Sequence, residues 1–421
     1  MRQLAFWGVT ATLAVGSALI GVTLAGDRDL ETGLSASLSS QSTPSLPQFL
    51  VVAGGPVPGY NEIALEKNVL YFQRTLAAMG VDPGLADIFF ANGNDGQATV
   101  RYLDAAGQER FKPPAIPHLQ GAASVDNLLA WLTTAQTAPQ DCSTFFYFTG
   151  HGGYNAQNED NNTLLLWGDR SFSVQELATQ LDQLPTTQPF VTMMAQCFAG
   201  SFANVIYEGG NPENPVALQT RCGFFATVSD RPSVGCTPEV NEADYQDYSS
   251  SFFAGLSGIS RTGAAVPSAD YDQDGTVTYA EAHAFAKVDE ATADWPISTS
   301  EAWLQRQASG SAVAEILSLP IATLQHLARP EQQFVIESLS ARMQLDTRLS
   351  FRANARQLPP RDRLDEVEQA YLMRLQMELT HVGMEQKIRQ RGDTAAIAIL
   401  QKLLTCEAGS WDQEAERVRQ N

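Results

Sequence analysis

Phe145-Phe146-Tyr147-Phe148-Thr149-Gly150-His151-Gly152-Gly153 and, further along, Phe190-Val191-Thr192-Met193-Met194-Ala195-Gln196-Cys197-Phe198-Ala199-Gly200-Ser201 are the two stretches from which the chain is read. Each is an apolar run of strand length that ends in a residue with chemistry and then in glycine. A continuous apolar run, rather than an alternating one, indicates a strand buried on both faces, as in a parallel sheet. The same pattern occurs in Phe49-Leu50-Val51-Val52-Ala53, which ends in Gly54-Gly55, and in Ile88-Phe89-Phe90 and Phe224 to Val228. Helical segments separate them. One is expected at about Leu65 to Met79, and a second over Val125 to Leu132 behind Ser124 as N-cap. A third begins with the capping box Ser173-Val174-Gln175-Glu176 and carries Leu177, Leu181 and Leu184. Strand and helix alternating in this way predict an α/β fold, a mostly parallel sheet flanked by helices on both faces.

In such sheets ligands bind beyond the carboxyl ends of the strands, and both His151 and Cys197 stand immediately after an apolar run. Alone, the His would be a structural residue and the Cys a small buried hydrophobe. Together they pair a base with a thiol nucleophile, and the flanking glycines suit a chain that turns sharply off a strand. His151 precedes Cys197 at a spacing close to the roughly 50 residues found in caspases, whereas papain-like enzymes place the Cys first.

Phe146 to Gly153 and Ala195 to Ser201 resemble the His and Cys motifs of the caspase-like cysteine peptidases, and most closely those of the legumains, a family that includes the GPI-anchor transamidase subunit. Val52 to Gly55 followed by Gly59-Tyr60-Asn61 resembles the first strand and Asn-bearing turn of legumains, so the resemblance spans about Gln48 to Leu304. It implies an endopeptidase acting on a peptide or protein substrate. Cys197 would be the nucleophile, His151 the proton donor to the leaving amine, Asn61 the residue orienting the His, and the amides of Gly152 and Cys197 the oxyanion hole. The resemblance also places Asp247 in the specificity pocket, to receive a basic or amide side chain. Departures accompany it: Ile63 stands where legumains carry a pocket Arg, and Ala195 and Phe198 replace acidic residues, so a preference other than strict asparagine is expected. The same Cys-His chemistry also serves transpeptidases, and an inactive interaction module is the alternative class.

Asp270-Tyr271-Asp272-Gln273-Asp274-Gly275-Thr276-Val277-Thr278-Tyr279-Ala280-Glu281 matches the twelve-residue EF-hand loop. Asp270, Asp272, Asp274 and a bidentate Glu281 are hard oxygen ligands, Thr276 offers its carbonyl, Thr278 can hold a water, and Gly275 permits the sharp turn. One structural Ca2+ is therefore expected. A helix is expected to leave the loop over Glu281 to Val288, while Gly263 and Pro267 preclude a full helix directly before it.

The N-terminal stretch is expected to place the body of the chain outside the cytoplasm, secreted or periplasmic. An uncharged run from Leu4 to Ala25 follows Arg2 and stops at Gly26-Asp27-Arg28-Asp29. Residues 1–25 read as a signal peptide ending in Thr23-Leu24-Ala25, or as an N-terminal membrane anchor if the run is not cleaved. Residues 26–46 are Ser-, Thr- and Gly-rich and read as a flexible linker, 47–305 as the peptidase-like domain and 306–421 as a helical region. In that region Leu364, Val367, Tyr371, Leu375, Leu379 and Val382 form one apolar stripe, and Ala395 to Leu404 carries another. The net charge of −20 excludes nucleic acid as a partner, since phosphate contacts need a positive surface. Five Cys are an odd set: Cys222 with Cys236, and Cys142 with Cys406 if the tail docks, are open pairings.

Overall fold

The computed structural model describes residues 47–137, 143–360 and 363–411. The N-terminal apolar run and its linker lie outside the described residues, among which no helix is long and apolar enough to cross a membrane.

The strands in chain order are β1 (Gln48–Gly54), β2 (Ala86–Phe90), the hairpin β3 (Val100–Leu103) and β4 (Glu109–Lys112), β5 (Leu119–Gly121), β6 (Thr144–Gly153), β7 (Thr163–Leu166), β8 (Arg170–Ser173), β9 (Phe190–Ala195), β10 (Arg221–Phe225) and β11 (Ile297–Ser298). Six of them lie parallel in the order β5-β2-β1-β6-β9-β10, with β11 antiparallel at one edge. β7 pairs antiparallel with the end of β6, and β8 with β7. The chain winds outward from β1 through β2 to β5, returns to β6 beside β1, and then winds the other way through β9 to β10. The switch point therefore falls between β1 and β6, which is where open α/β sheets leave a crevice at their carboxyl edge.

Helices α1 (Ile63–Ala78), α2 (Val125–Ala135), α3 (Val174–Leu181), α4 (Tyr248–Ser257) and α5 (Tyr279–Asp289) cover the two faces. Phe49, Val51, Phe145 and Tyr147 face α1, α4 and α5, whereas Leu50, Val52, Phe146 and Phe148 face α2 and α3. Both sets are buried, which is why these strands are apolar throughout. Ser124 caps α2 by accepting from the Asn127 amide, and Ser173 and Glu176 form the capping box of α3. Two predicted boundaries move: α1 starts at Ile63, and the strand expected from Phe224 starts at Arg221. The hairpin, β5, β8 and β11 have no long apolar run, whereas β7 carries the short run Leu164-Leu165-Leu166, which the strand pattern read from sequence does not use.

The chain then becomes helical: α6 (Thr299–Arg306), α7 (Gly310–Ile316), α8 (Ile321–Leu327), α9 (Pro330–Arg342), α10 (Phe351–Ala355), α11 (Glu366–Arg391) and α12 (Thr394–Glu407). The stripe on α11 is buried at Tyr371, Leu375, Leu379 and Val382, against Leu304, Ile316 and Leu339. This region is fastened to the sheet. Cys222 of β10 is bonded to Cys406 of α12 across 184 residues, neither of the pairings left open by the sequence. Closing so long a loop removes roughly 5 kcal/mol of unfolded-state entropy in the chain-entropy model. Cys197 and Cys236 are free, and Cys142 lies outside the described residues.

Beyond α12 the Trp411 ring is wholly buried against Phe49, Phe72 and Phe145, at centroid distances of 5.2, 5.8 and 4.9 Å. Its edge-to-face contacts add to the burial of a large apolar surface. Trp411→Ala should therefore lower unfolding stability by about 3–5 kcal/mol in urea titrations. A midpoint within error of wild type would mean that the tail is not part of this core.

Candidate active site

The pairing of β6 with β9 is parallel and runs from Thr144 opposite Phe190 to Thr149 opposite Ala195. Two residues beyond the last pair on each strand come His151 and Cys197, so the register brings the two sequence motifs to one level of the carboxyl edge. The contact between the strand ends is close. A Cβ on Gly152 would stand 2.0 Å from the Cys197 carbonyl oxygen, so only glycine fits there. Phe198 follows in the left-handed region at φ 60° and donates its amide to the Arg231 carbonyl, which turns the chain away from the sheet.

His151 is held from behind by Glu62. Its Nε2 lies 3.0 Å from Glu62 Oε2, and Glu62 Oε1 accepts from Arg101 Nη2 at 2.6 Å. Burial tends to raise the Glu62 pKa, but the bonds from His151 and Arg101 outweigh it and hold the carboxyl below its ordinary value, as the carboxylate. Tyr60 packs edge-on against the imidazole at 5.7 Å. This differs from the expected role of Asn61. The Asn61 side chain accepts from the Gly55 amide and donates to the Thr99 carbonyl, so it fixes the turn after β1 and does not orient the His. The orienting residue is its neighbour, for which the sequence signal was only adjacency to the turn. With Nε2 engaged by Glu62, Nδ1 is the nitrogen left for proton transfer; among the described residues no hydrogen bond joins His151 to Cys197.

The half-buried Cys197 thiol instead contacts the segment after β10. Its Sγ accepts from the Ser233 amide at 3.3 Å and approaches the Ser233 carbonyl at 3.5 Å. Asp294 holds that segment, accepting from Ser233 Oγ at 2.5 Å and from the Val234 amide at 3.2 Å. A cavity of about 430 Å³ adjoins it, lined by Arg231, Ser233, Val234, Asp294, Trp295 and Glu366 among others. Burial pushes the Cys197 thiol up; the Ser233 amide opposes this, and the nearby Asp294 charge adds a smaller push in the same direction as burial. The burial therefore favours the neutral thiol over the thiolate. Burial likewise pushes Asp294 up to about 6.

Asp247 lies beneath the same segment. Gly235, at φ 124°, passes so near that a Cβ would stand 2.9 Å from Asp247 Cβ. Asp247 Oδ1 caps α4 through the Ser250 amide, and Oδ2 faces Arg261 Nη1 at 3.6 Å. Arg261 is buried, donates Nη2 to Asn68, and lies over the Tyr245 ring at 4.6 Å. Asp247 Oδ2 and Arg261 Nε and Nη1 are buried atoms that lack a hydrogen-bond partner among the described residues. Asp247 carries a signal in the sequence, whereas Arg261, in the loop just after α4, carries none.

The acidic loop stands at the start of α5. Carboxylate oxygens of Asp270, Asp272 and Asp274 lie within 4.8 Å of one another, while Gln273 and Gly275 take positive φ to turn the chain between them. Thr278 and Glu281 form the capping box of α5, and Glu281 also accepts from the Tyr271 and Asp272 amides. Burial raises the Glu281 pKa despite these bonds. The helix before the loop, α4, ends at Gly258 in the left-handed region, so the segment has a leaving helix but no adjoining entering one, as the sequence indicated.

Asp294→Asn should accelerate alkylation of Cys197 by iodoacetamide severalfold above pH 6, where wild-type Asp294 is charged and disfavours the thiolate. The difference should vanish below pH 6, where Asp294 is itself neutral. Equal rates at neutral pH would show that Asp294 does not govern this thiol. Comparison with known proteins returns no relative to set beside this site: no family model and no curated protein matches the chain.

Proposed function

We propose that the chain is a legumain-like cysteine endopeptidase in a closed state, with a structural calcium site. The observation that carries this reading is the in-register placement of His151 and Cys197 at a sheet switch point, with a buried carboxylate behind the imidazole. For reaction, Ser233 has to withdraw and admit a peptide. The Cys197 proton passes to His151 Nδ1 as the sulfur attacks the scissile carbonyl. Glu62 stabilises the imidazolium so formed, as a carboxylate does behind the His of a catalytic triad. The amides of Gly152 and Cys197 are the donors for the oxyanion. His151 then protonates the leaving amine, and water hydrolyses the thioester to free Cys197.

The buried pair of Asp247 and Arg261, whose facing atoms stand 3.6 Å apart with no hydrogen bond between them, supports an amide side chain at the residue preceding the cleaved bond. The carboxylate would accept its N–H and the guanidinium would donate to its carbonyl. Arg261 thus offers the donor that Ile63 cannot, and it weighs against a cationic side chain in that pocket. The preference expected from sequence for Lys, Arg or amide narrows to amide. Cys197→Ala should abolish cleavage, and His151→Ala should slow it by on the order of a thousandfold or more, because such groups act as a unit. A peptide-library profile should show Asn or Gln ahead of Lys and Arg, and Asp247→Ala should remove that preference. Undiminished turnover by Cys197→Ala would end the peptidase reading.

The donor set of the acidic loop suits calcium: three clustered aspartates and the Thr276 carbonyl are hard oxygen ligands around a glycine turn, and Thr278 and Glu281, now bonded to one another, would turn inward to complete it. When bound there, the ion supplies charge neutralisation among clustered carboxylates and plays no part at Cys197. Millimolar calcium, at about tenfold over an extracellular-type Kd, should add about 1.4 kcal/mol to native stability. Thermal unfolding in calcium against chelator should show this as a higher midpoint for wild type and none for Glu281→Gln. An unchanged wild-type midpoint would make the loop a plain acidic turn.

A further inference from the structure

The His151 imidazole has a third neighbour besides Glu62 and Tyr60. Cys236, on the segment that crosses Cys197, places Sγ so that one ligand atom each of Glu62, His151 and Cys236 lie within 4.8 Å of one another. From this geometry we infer that the three residues form a site for a thiophilic divalent cation of the zinc class, and that its occupancy arrests His151. The donor set is one thiolate, one imidazole and one carboxylate, which selects zinc over calcium or magnesium and separates this site chemically from the all-oxygen loop at Asp270. Tetrahedral zinc with bonds of about 2.0–2.3 Å sets its ligands roughly 3.3–3.8 Å apart, so closure needs shifts of about 1 Å that side-chain rotation supplies.

Three features favour a site over a chance meeting. The ligands come from three separate segments, the turn after β1, the end of β6 and the loop after β10, whose positions the sheet fixes. Glu62 is buried and already oriented by Arg101, an outer support of the kind that ligating carboxylates require. The Cys236 residue reaches the surface, while its thiol points inward and donates to the Gly150 carbonyl at 3.8 Å, a weak bond that metal binding replaces. The other mixed cluster, Glu301, Glu378 and His381, is equally tight, but Lys287 donates to both of its carboxylates and occupies the place of a cation.

Binding has a defined proton balance. The Cys236 thiol loses its proton to solvent, and the proton on His151 Nε2 is replaced by the metal while Nδ1 carries the ring hydrogen. The bound imidazole then cannot become an imidazolium, so it can neither take the Cys197 proton nor return one to a leaving amine. The regulatory consequence rests on the peptidase reading; the binding itself does not.

The test uses the full chain with calcium in excess. Cobalt as a spectroscopic probe should give a thiolate-to-metal charge-transfer band in wild type and in Cys197→Ala, but not in Cys236→Ser. Calorimetric zinc titration of Cys197→Ala should give one site, weakened at least about tenfold by adding Cys236→Ser. Zinc should inhibit wild-type peptidase and inhibit Cys236→Ser less. A band lost in Cys197→Ala and kept in Cys236→Ser would overturn the assignment by placing the metal on the other thiol, and absence of any thiolate band would overturn it outright. Because the binding arms need no turnover, a chain that binds zinc at Cys236 yet cleaves nothing would sink only the peptidase reading.

Discussion

The parallel pairing of β6 with β9 is the constraint on which the site depends. Parallel strands share direction, so two apolar runs that stop at equivalent register end at the same edge, and whatever follows each run is delivered to one place. His151 and Cys197 meet for that reason. A slip of one residue would turn every buried side chain of β6 to the opposite face, setting Phe146 and Phe148 where α1 and α4 need Phe145 and Tyr147. The packing of two covered faces thus guards the alignment of two polar residues that lie outside it.

A second constraint reaches the site from the C-terminal helices. Arg374 of α11 is buried and donates to the carbonyls of Lys287, Glu290, Thr292 and Asp294, so it organises the segment between α5 and β11. Asp294 then grips Ser233, which touches Cys197. Removing Arg374 would leave several buried carbonyls unpaired and loosen the segment over the thiol at once. Nearby, Lys287 bridges Glu301 and Glu378, and burial together with the Lys287 charge pushes His283 down to about 4. These groups have to be satisfied together, because breaking one partner of a buried charge pair costs about 3–5 kcal/mol. Cys222–Cys406 and Trp411 fasten the same helices to β10 and to the α1 face, so the helical region is built into the architecture that holds the site.

Legibility followed the kind of force involved. The apolar runs at Phe49, Phe145 and Phe190 and the caps at Ser124 and Ser173 are local signals, and the structure keeps them almost residue for residue. The short strands β3, β4 and β8 have no apolar run and depend on their pairing partners, so the run-based pattern passes over them. At the site the two motif residues were visible because each ends a run. Glu62 and Arg261 were not, since a carboxylate beside a turn and an arginine in a loop look like solvent-facing residues until the fold buries them. Asn61 was visible for a reason that proved local: it closes its own turn through Gly55.

By itself, then, the sequence determined the α/β class, the two faces of the sheet, the His and Cys at strand ends and the acidic loop, because periodicity, run length, capping and ligand spacing all act over a few residues. Tertiary structure alone decided that Glu62 backs His151, that Arg261 joins Asp247, that Cys222 takes Cys406 over Cys236, and that Ser233 covers the thiol. Each of these joins residues of different elements or loops through burial of charge, packing or a covalent bond. Their partners are set by which groups the closed sheet brings within reach, and no local pattern encodes that.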